Sequence, residues 1–110
     1  MTLADIKTML EGITGLGADK VSYRMFPIGK VPSLPYCVFY STGNDNFAAD
    51  NKVYKPYIDV NIEFYSQNKD STMESSIESA MDTKGLIWRK IESYIDSEKM
   101  YQILYETYIQ

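Results

Sequence analysis

The side chains of this chain that could do chemistry are few, and the missing types narrow the choice first. Histidine is absent and cysteine occurs once, as Cys37. That removes Ser-His-Asp and Cys-His triads, imidazole or thiolate zinc sites, and histidine acid–base catalysis. Fifteen carboxylates remain, so a carboxylate pair or an oxygen-ligand metal site stays open. Asp45 and Asp50, in a polar run, are the nearest approach to calcium ligands. The EF-hand loop pattern with its closing glutamate is missing around them. The expectation is a protein that is not an enzyme, with no catalytic residue, cofactor or metal. Cys37 lies within Tyr36-Cys37-Val38-Phe39-Tyr40 with no partner to activate it, and reads as a small buried hydrophobe. Ten tyrosines point instead to strand faces and protein contacts, because each joins a large ring to a hydrogen-bonding hydroxyl.

The chain that must position these groups is one domain spanning residues 1–110, large enough for a core and too small for two. A net charge of −4 argues against general nucleic-acid binding, which needs clustered Lys and Arg. No apolar run approaches the ~18 residues of a membrane span, and Met1-Thr2-Leu3-Ala4-Asp5 does not resemble a signal peptide. The single cysteine excludes an internal disulfide and suits synthesis in a cytosol.

Leu3, Ile6, Leu10 and Ile13 follow helical spacing, with Thr2 as N-cap and Asp5 in the first turn, so a helix is expected over 2–14. Gly12, Gly15 and Gly17 end it. Val21 to Phe26 reads as a short strand stopped by Pro27. The connection to Pro35 is stiffened by three prolines. Tyr36 to Tyr40, aromatic and β-branched, is a strand.

Ser41 to Lys52 is rich in Gly, Asn and Asp and reads as a turn-rich loop of about twelve residues. Phe47 is its one large apolar side chain, and would either tuck onto its own domain or insert into a neighbour. From Val53 to Tyr65 the chain is strand-like, with Ile58, Val60, Ile62 and Phe64 alternating against Asp59, Asn61 and Glu63. Pro56 does not fit a central hydrogen-bonded position, so regular pairing is expected from Tyr57, leaving 41–56 as a projecting loop or arm of a long β-hairpin with Phe47 near its tip.

Ser71-Thr72-Met73-Glu74 matches a capping box and opens a second helix over 72–83, which Lys84 and Gly85 close. Two strands follow, Leu86–Ile95 and Met100–Ile109. In the first, Ile87, Arg89, Ile91, Ser93 and Ile95 look like the better buried set toward the strand's end, yet Trp88 lies on the other face. That placement suggests an unevenly covered sheet or an oligomeric contact. The last strand carries apolar residues on both faces, with Leu104 and Tyr108 opposite Ile103 and Tyr105. The order is α-β-β-β-α-β-β, an α+β fold with an antiparallel sheet of four or five strands and both helices on one face.

The combination Tyr23-Arg24-Met25-Phe26-Pro27, Leu34-Pro35-Tyr36, Asp45-Asn46-Phe47-Ala48-Ala49-Asp50-Asn51-Lys52-Val53-Tyr54, Ile62-Glu63-Phe64-Tyr65 and Ile95-Asp96-Ser97-Glu98-Lys99-Met100-Tyr101-Gln102 resembles a family of small proteins of tailed bacteriophages and prophages of Gram-positive bacteria. These are tail terminator proteins, also called tail-completion or head–tail joining proteins. The resemblance covers nearly the whole chain, and the polar run around Phe47 is its most specific piece. It implies a similar α+β fold and a homo-oligomeric ring, commonly a hexamer, which caps the tail tube and meets the head connector. It implies a virion protein made in the bacterial cytoplasm, with DNA only as cargo passing through the lumen and no membrane partner. It implies no catalytic residue.

A ring subunit needs two different contact surfaces. Candidate interface residues are Asn44, Asp45, Asn46, Phe47, Asp50, Asn51, Lys52 and Tyr54 on the arm, with Trp88 and Tyr108 on the closing strands. Two other readings stay open: a head-closure or adaptor component of the same joint, and a monomeric protein-binding module unrelated to the virion.

Overall fold

The computed structural model describes the backbone of residues 1–49 and 52–110, and side chains outside 44–56. Helix α1 spans Leu3–Glu11 and helix α2 Ser71–Thr83. The strands are β1 (Val21–Tyr23), β2 (Tyr36–Ala49), β3 (Lys52–Ser66), β4 (Trp88–Ile95) and β5 (Met100–Ile109). They form one sheet in the order β1-β2-β3-β5-β4. The α+β class and the order of helices and strands are as the sequence predicts.

The sheet is mixed where an antiparallel one was expected. β1 runs parallel to β2, and the other neighbours are antiparallel. A parallel pair needs a crossover longer than a hairpin turn, and the proline-stiffened 24–35 stretch supplies it. Its residues sit against the sheet face opposite the helices. Phe26 meets the Tyr36 ring edge-on at 5.3 Å, and the Arg24 guanidinium lies 5.2 Å from the Tyr40 ring centre. That cover explains why Val38 is buried on the side without helices.

Both helices pack on the other face. Ile6, Leu10, Ile77 and Met81 are fully buried against Cys37, Phe39, Val60, Ile62, Phe64, Ile103 and Tyr105. Thr2 caps α1 in a full capping box with Asp5. The cap of α2 differs from expectation. Asp70, not Ser71, accepts from the Met73 amide at 3.0 Å. Glu74 is thereby released from the predicted box and turns towards two lysines. Gly85, at φ +73°, ends that helix turn in the left-handed region, as expected.

The predicted loop over 41–52 is strand for most of its length. β2 pairs with β3 out to Ala48↔Val53 and Ala49↔Lys52, with register shifts at Ser41/Gly43 and Asn46/Ala48. Gly43, at φ +156°, sits at the first shift. Pairing also includes Asn46↔Pro56, so it does not wait for Tyr57. Pro56 is tolerated there because β5 reaches β3 only from Ile58, leaving that position outside the flanked sheet.

In β4 the faces are reversed from the expectation. Trp88, Lys90 and Glu92 are in register with Thr107, Tyr105 and Ile103 on the helix side, whereas Ile91 is exposed on the open face beside Leu104. Of the isoleucine set, Ile87 and Ile91 are exposed and Ile95, at the strand's end, is half-buried, while the Lys90 ammonium is drawn to carboxylates on α2.

Candidate functional site

Beyond Phe39, β2 has lost β1 as a neighbour, and before Ile58, β3 has no β5. The two strands continue as a two-stranded ribbon. Asn44 is level with Ile58, the last β3 residue that β5 flanks, so at about 3.3 Å per residue 45–49 reach roughly 16 Å past the flanked sheet. The molecule measures 50 × 29 × 25 Å with a radius of gyration of 14.9 Å, against about 13 Å for a compact chain of this length. The side chains of Asn44, Asp45, Asn46, Phe47, Lys52 and Tyr54 lie outside the described residues, as do Asp50 and Asn51 altogether.

The root of the ribbon is described. Tyr57 meets Tyr108 edge-on at 5.2 Å, and Tyr108 remains 37% exposed. Beside it a groove of about 460 Å³ is lined by Thr42, Asp59, Asn61, Arg89, Glu106 and Tyr108, among others. Arg89 pairs with Glu106 at 3.1 Å across its floor. Trp88, the other candidate, is engaged within its own chain. Its indole Nε1 donates to Asp82 Oδ1 at 2.8 Å, and its ring stands edge-on to Tyr105 at 5.7 Å. The structure thus brings Tyr108 to the ribbon's root and turns Trp88 towards α2.

In the body of the sheet, the open face carries a hydrogen-bond network that the alternation pattern did not disclose. Tyr40 and Tyr65 each donate to one oxygen of Glu63, both at 2.6 Å. Asn61 Nδ2 donates to Tyr40, and Gln102 Nε2 to Tyr65. Burial, followed by the Glu63 hydrogen bond, raises the pKa of both tyrosines. Their protons are committed to the carboxylate, so this cluster stiffens three strands and offers no poised base. The sequence signal was weak: Asn61 and Glu63 mark a wet face, but their partners depend on register.

The carboxylates that the fold brings together on the helix side are Glu74 and Glu78. Lys90 bridges them at 2.6 and 2.7 Å, and Lys69 joins Glu74 at 2.8 Å. Tyr105 donates to Glu78 Oε2 at 2.8 Å. Glu74 is 2% exposed, and its Oε2 is buried without a hydrogen-bond partner. Burial alone would raise the pKa of this carboxyl; the Lys69 and Lys90 hydrogen bonds outweigh it, and the net direction is down. Neither carboxylate lines the larger grooves. A groove of about 720 Å³ lies between the end of α1 and α2 and is walled by hydroxyls such as Ser71, Ser75 and Ser79. Among the described residues no group of three or more acidic, Cys or His side chains is placed to hold a metal. No described helix is long and apolar enough to cross a membrane.

The fold and these surfaces define an α+β domain with one helix-covered sheet face, one open tyrosine-rich face and a projecting β-ribbon. No protein-family model matches the chain, and no curated protein sequence matches it.

Proposed function

We propose that this chain is a structural subunit of a tailed-phage or prophage virion. It assembles as a homo-oligomeric ring, commonly a hexamer in proteins of the kind it resembles, that caps the tail tube and joins it to the head connector. The observation that carries this reading is the two-stranded ribbon formed by β2 after Asn44 and β3 before Ile58. A two-stranded ribbon is at best marginal in water without a third strand or a packing surface. Here it extends outward from a sheet whose own core is already complete, and a contact with another chain supplies what it lacks.

The polar sequence of the ribbon fits a surface that must be soluble before assembly and ordered in contact afterwards. The net charge of −4 suits a lumen through which DNA passes without being held. In this role the protein is made in the bacterial cytoplasm and ends in the virion at the head–tail joint.

The test is assembly. Negative-stain microscopy and light scattering of the purified chain are expected to show concentration-dependent rings, and these rings are expected to bind the ends of purified tail tubes. A strictly monomeric protein that ignores tube ends would overturn the reading.

A further inference from the structure

The sheet ends in two edges of different character. One is β1, three residues long; the other is β4, eight residues long. Among the described residues, no strand pairs with the outer side of either. Register can be followed from one edge to the other: Ser22 is level with Val38, Val38 with Glu63, Glu63 with Leu104, and Leu104 with Ile91. Following strand direction across the same path, β1 is parallel to β2, and three reversals then make β4 antiparallel to β1. The two edges therefore face opposite ways, run oppositely and stand at the same height.

Those are the conditions for a head-to-tail contact that repeats by rotation. Resting on the ring reading above, we infer that adjacent copies join edge to edge. The outer side of β4 in one copy pairs antiparallel with β1 of the next, and Ile91 comes opposite Ser22 of that neighbouring copy. Strand tilt accommodates the sheet's twist, as it does when a sheet closes into a barrel.

Two further features favour this occupant. First, an edge strand is usually protected from strand addition by its charges. The charged residues of β4 are all held by their own chain: Arg89 by Glu106, Lys90 by Glu74 and Glu78, and Glu92 by Lys69. The edge keeps its backbone groups available while its charges are occupied elsewhere. Second, both edges carry exposed apolar side chains beside the pairing line. Met25, Ile28 and Val31 are exposed on the crossover that follows β1, Ile87 just before β4, and Ile91 and Tyr94 on β4's two faces. Three paired residues are too few for a stable contact, since specific interfaces bury about 800 Å² per partner. The crossover side chains and the ribbon must supply the remaining area.

Cysteine cross-linking of the full chain tests this, with Cys37 left in place because it is buried. The variants are Ser22→Cys, Ile91→Cys and the two combined, with Ser93→Cys replacing Ile91→Cys to cover a two-residue slip. Each is checked for an unchanged thermal melt, oxidised in native buffer, alkylated and run on a non-reducing denaturing gel. The double variant is expected to give a ladder ending at the ring size. Each single variant is expected to stay monomeric on the gel, and a mixture of the two singles to stop at dimer. Cross-linking of Ile91→Cys alone would mean β4 pairs with itself and would overturn the inference. Rings seen by microscopy without a ladder in either double variant would also overturn it, while leaving the ring reading intact. Absence of rings in the unaltered chain would remove both.

Discussion

Lys90 Nζ lies 2.6 Å from Glu74 Oε1 and ties the edge strand β4 to helix α2. The carboxylate is almost fully buried and the ammonium about one third exposed. Removing one member of such a pair leaves an uncompensated buried charge, which costs more than the pair contributes. Lys90→Met is therefore expected to destabilise the domain by about 2–3 kcal/mol, less than for a fully buried pair because Lys69 remains. Urea unfolding measures this. Lys69→Met, whose Nζ is more exposed and whose site keeps Lys90, should cost less, and the reverse order would show the bridge assignment to be wrong.

The same carboxylate sets an acid limit. The Glu74 pKa lies below its ordinary value near 4.5 in the folded state, because the two lysine hydrogen bonds outweigh the effect of burial. A carboxyl whose folded pKa is depressed contributes stability above its unfolded pKa, and that stability is lost as pH falls through the folded value. Unfolding free energy should decline below about pH 4.5, and the decline attributable to Glu74 should be smaller in Lys90→Met. Urea midpoints measured between pH 6 and pH 3 for both proteins check this. Parallel curves would exclude the linkage.

Cys37 is wholly buried, and burial, then the nearby Glu63 charge, pushes its thiol pKa strongly upward. Thiolate is the reactive form, so the native protein should be inert to a chromogenic disulfide reagent at pH 8 and react at a rate set by opening of the fold. Adding urea below the unfolding midpoint should accelerate labelling in step with the unfolded fraction. Rapid labelling in native buffer would contradict the placement of β2 against the helices.

On the open face, Tyr65→Phe removes the donor to Glu63 Oε1 and the acceptor for Gln102. The site is only partly buried, so a loss of about 1–1.5 kcal/mol is expected. Glu63→Gln should cost a similar amount and lower the pKa of Tyr40 and Tyr65, since the carboxylate is one of the causes that raise both. Alkaline titration of tyrosinate absorbance would show that shift, and its absence would place the carboxylate elsewhere.

How much of this was legible depended on whether the signal was local. The Thr2–Asp5 cap and the alternation from Ile58 to Phe64 are set by neighbours along the chain, and both appear as read. The cap of α2 was ambiguous, because Asp70 and Ser71 are adjacent good N-caps. Tertiary attraction of Glu74 to Lys69 and Lys90 decided between them. In β4 hydrophobicity favoured the face of Ile91, but ion pairing from α2 holds Lys90 on the covered side. The 41–52 stretch misled for another reason. Its sequence lacks apolar alternation, so its Gly and Asn content resembled a loop while its backbone pairs as strands. Of the candidate interface residues, Tyr108 was placed at the ribbon's root by a ring contact with Tyr57 that only the β3–β5 register could reveal.

The ribbon itself gives the sharpest functional prediction. Deleting 44–51 removes the β2 side of the projection, and residues 52–57 then connect Gly43 to Ile58 as a loop. The deleted segment is polar in sequence apart from Phe47 and two alanines, so the thermal midpoint is expected to change by only a few degrees, within what a surface change causes. Ring formation and capping of tail tubes should be lost, because the β1 and β4 edges alone bury too little to hold adjacent copies. Sedimentation velocity and negative-stain microscopy of the shortened chain, beside the full one, read both outcomes. Rings that persist and still cap tubes would show that the ribbon is not the assembly arm.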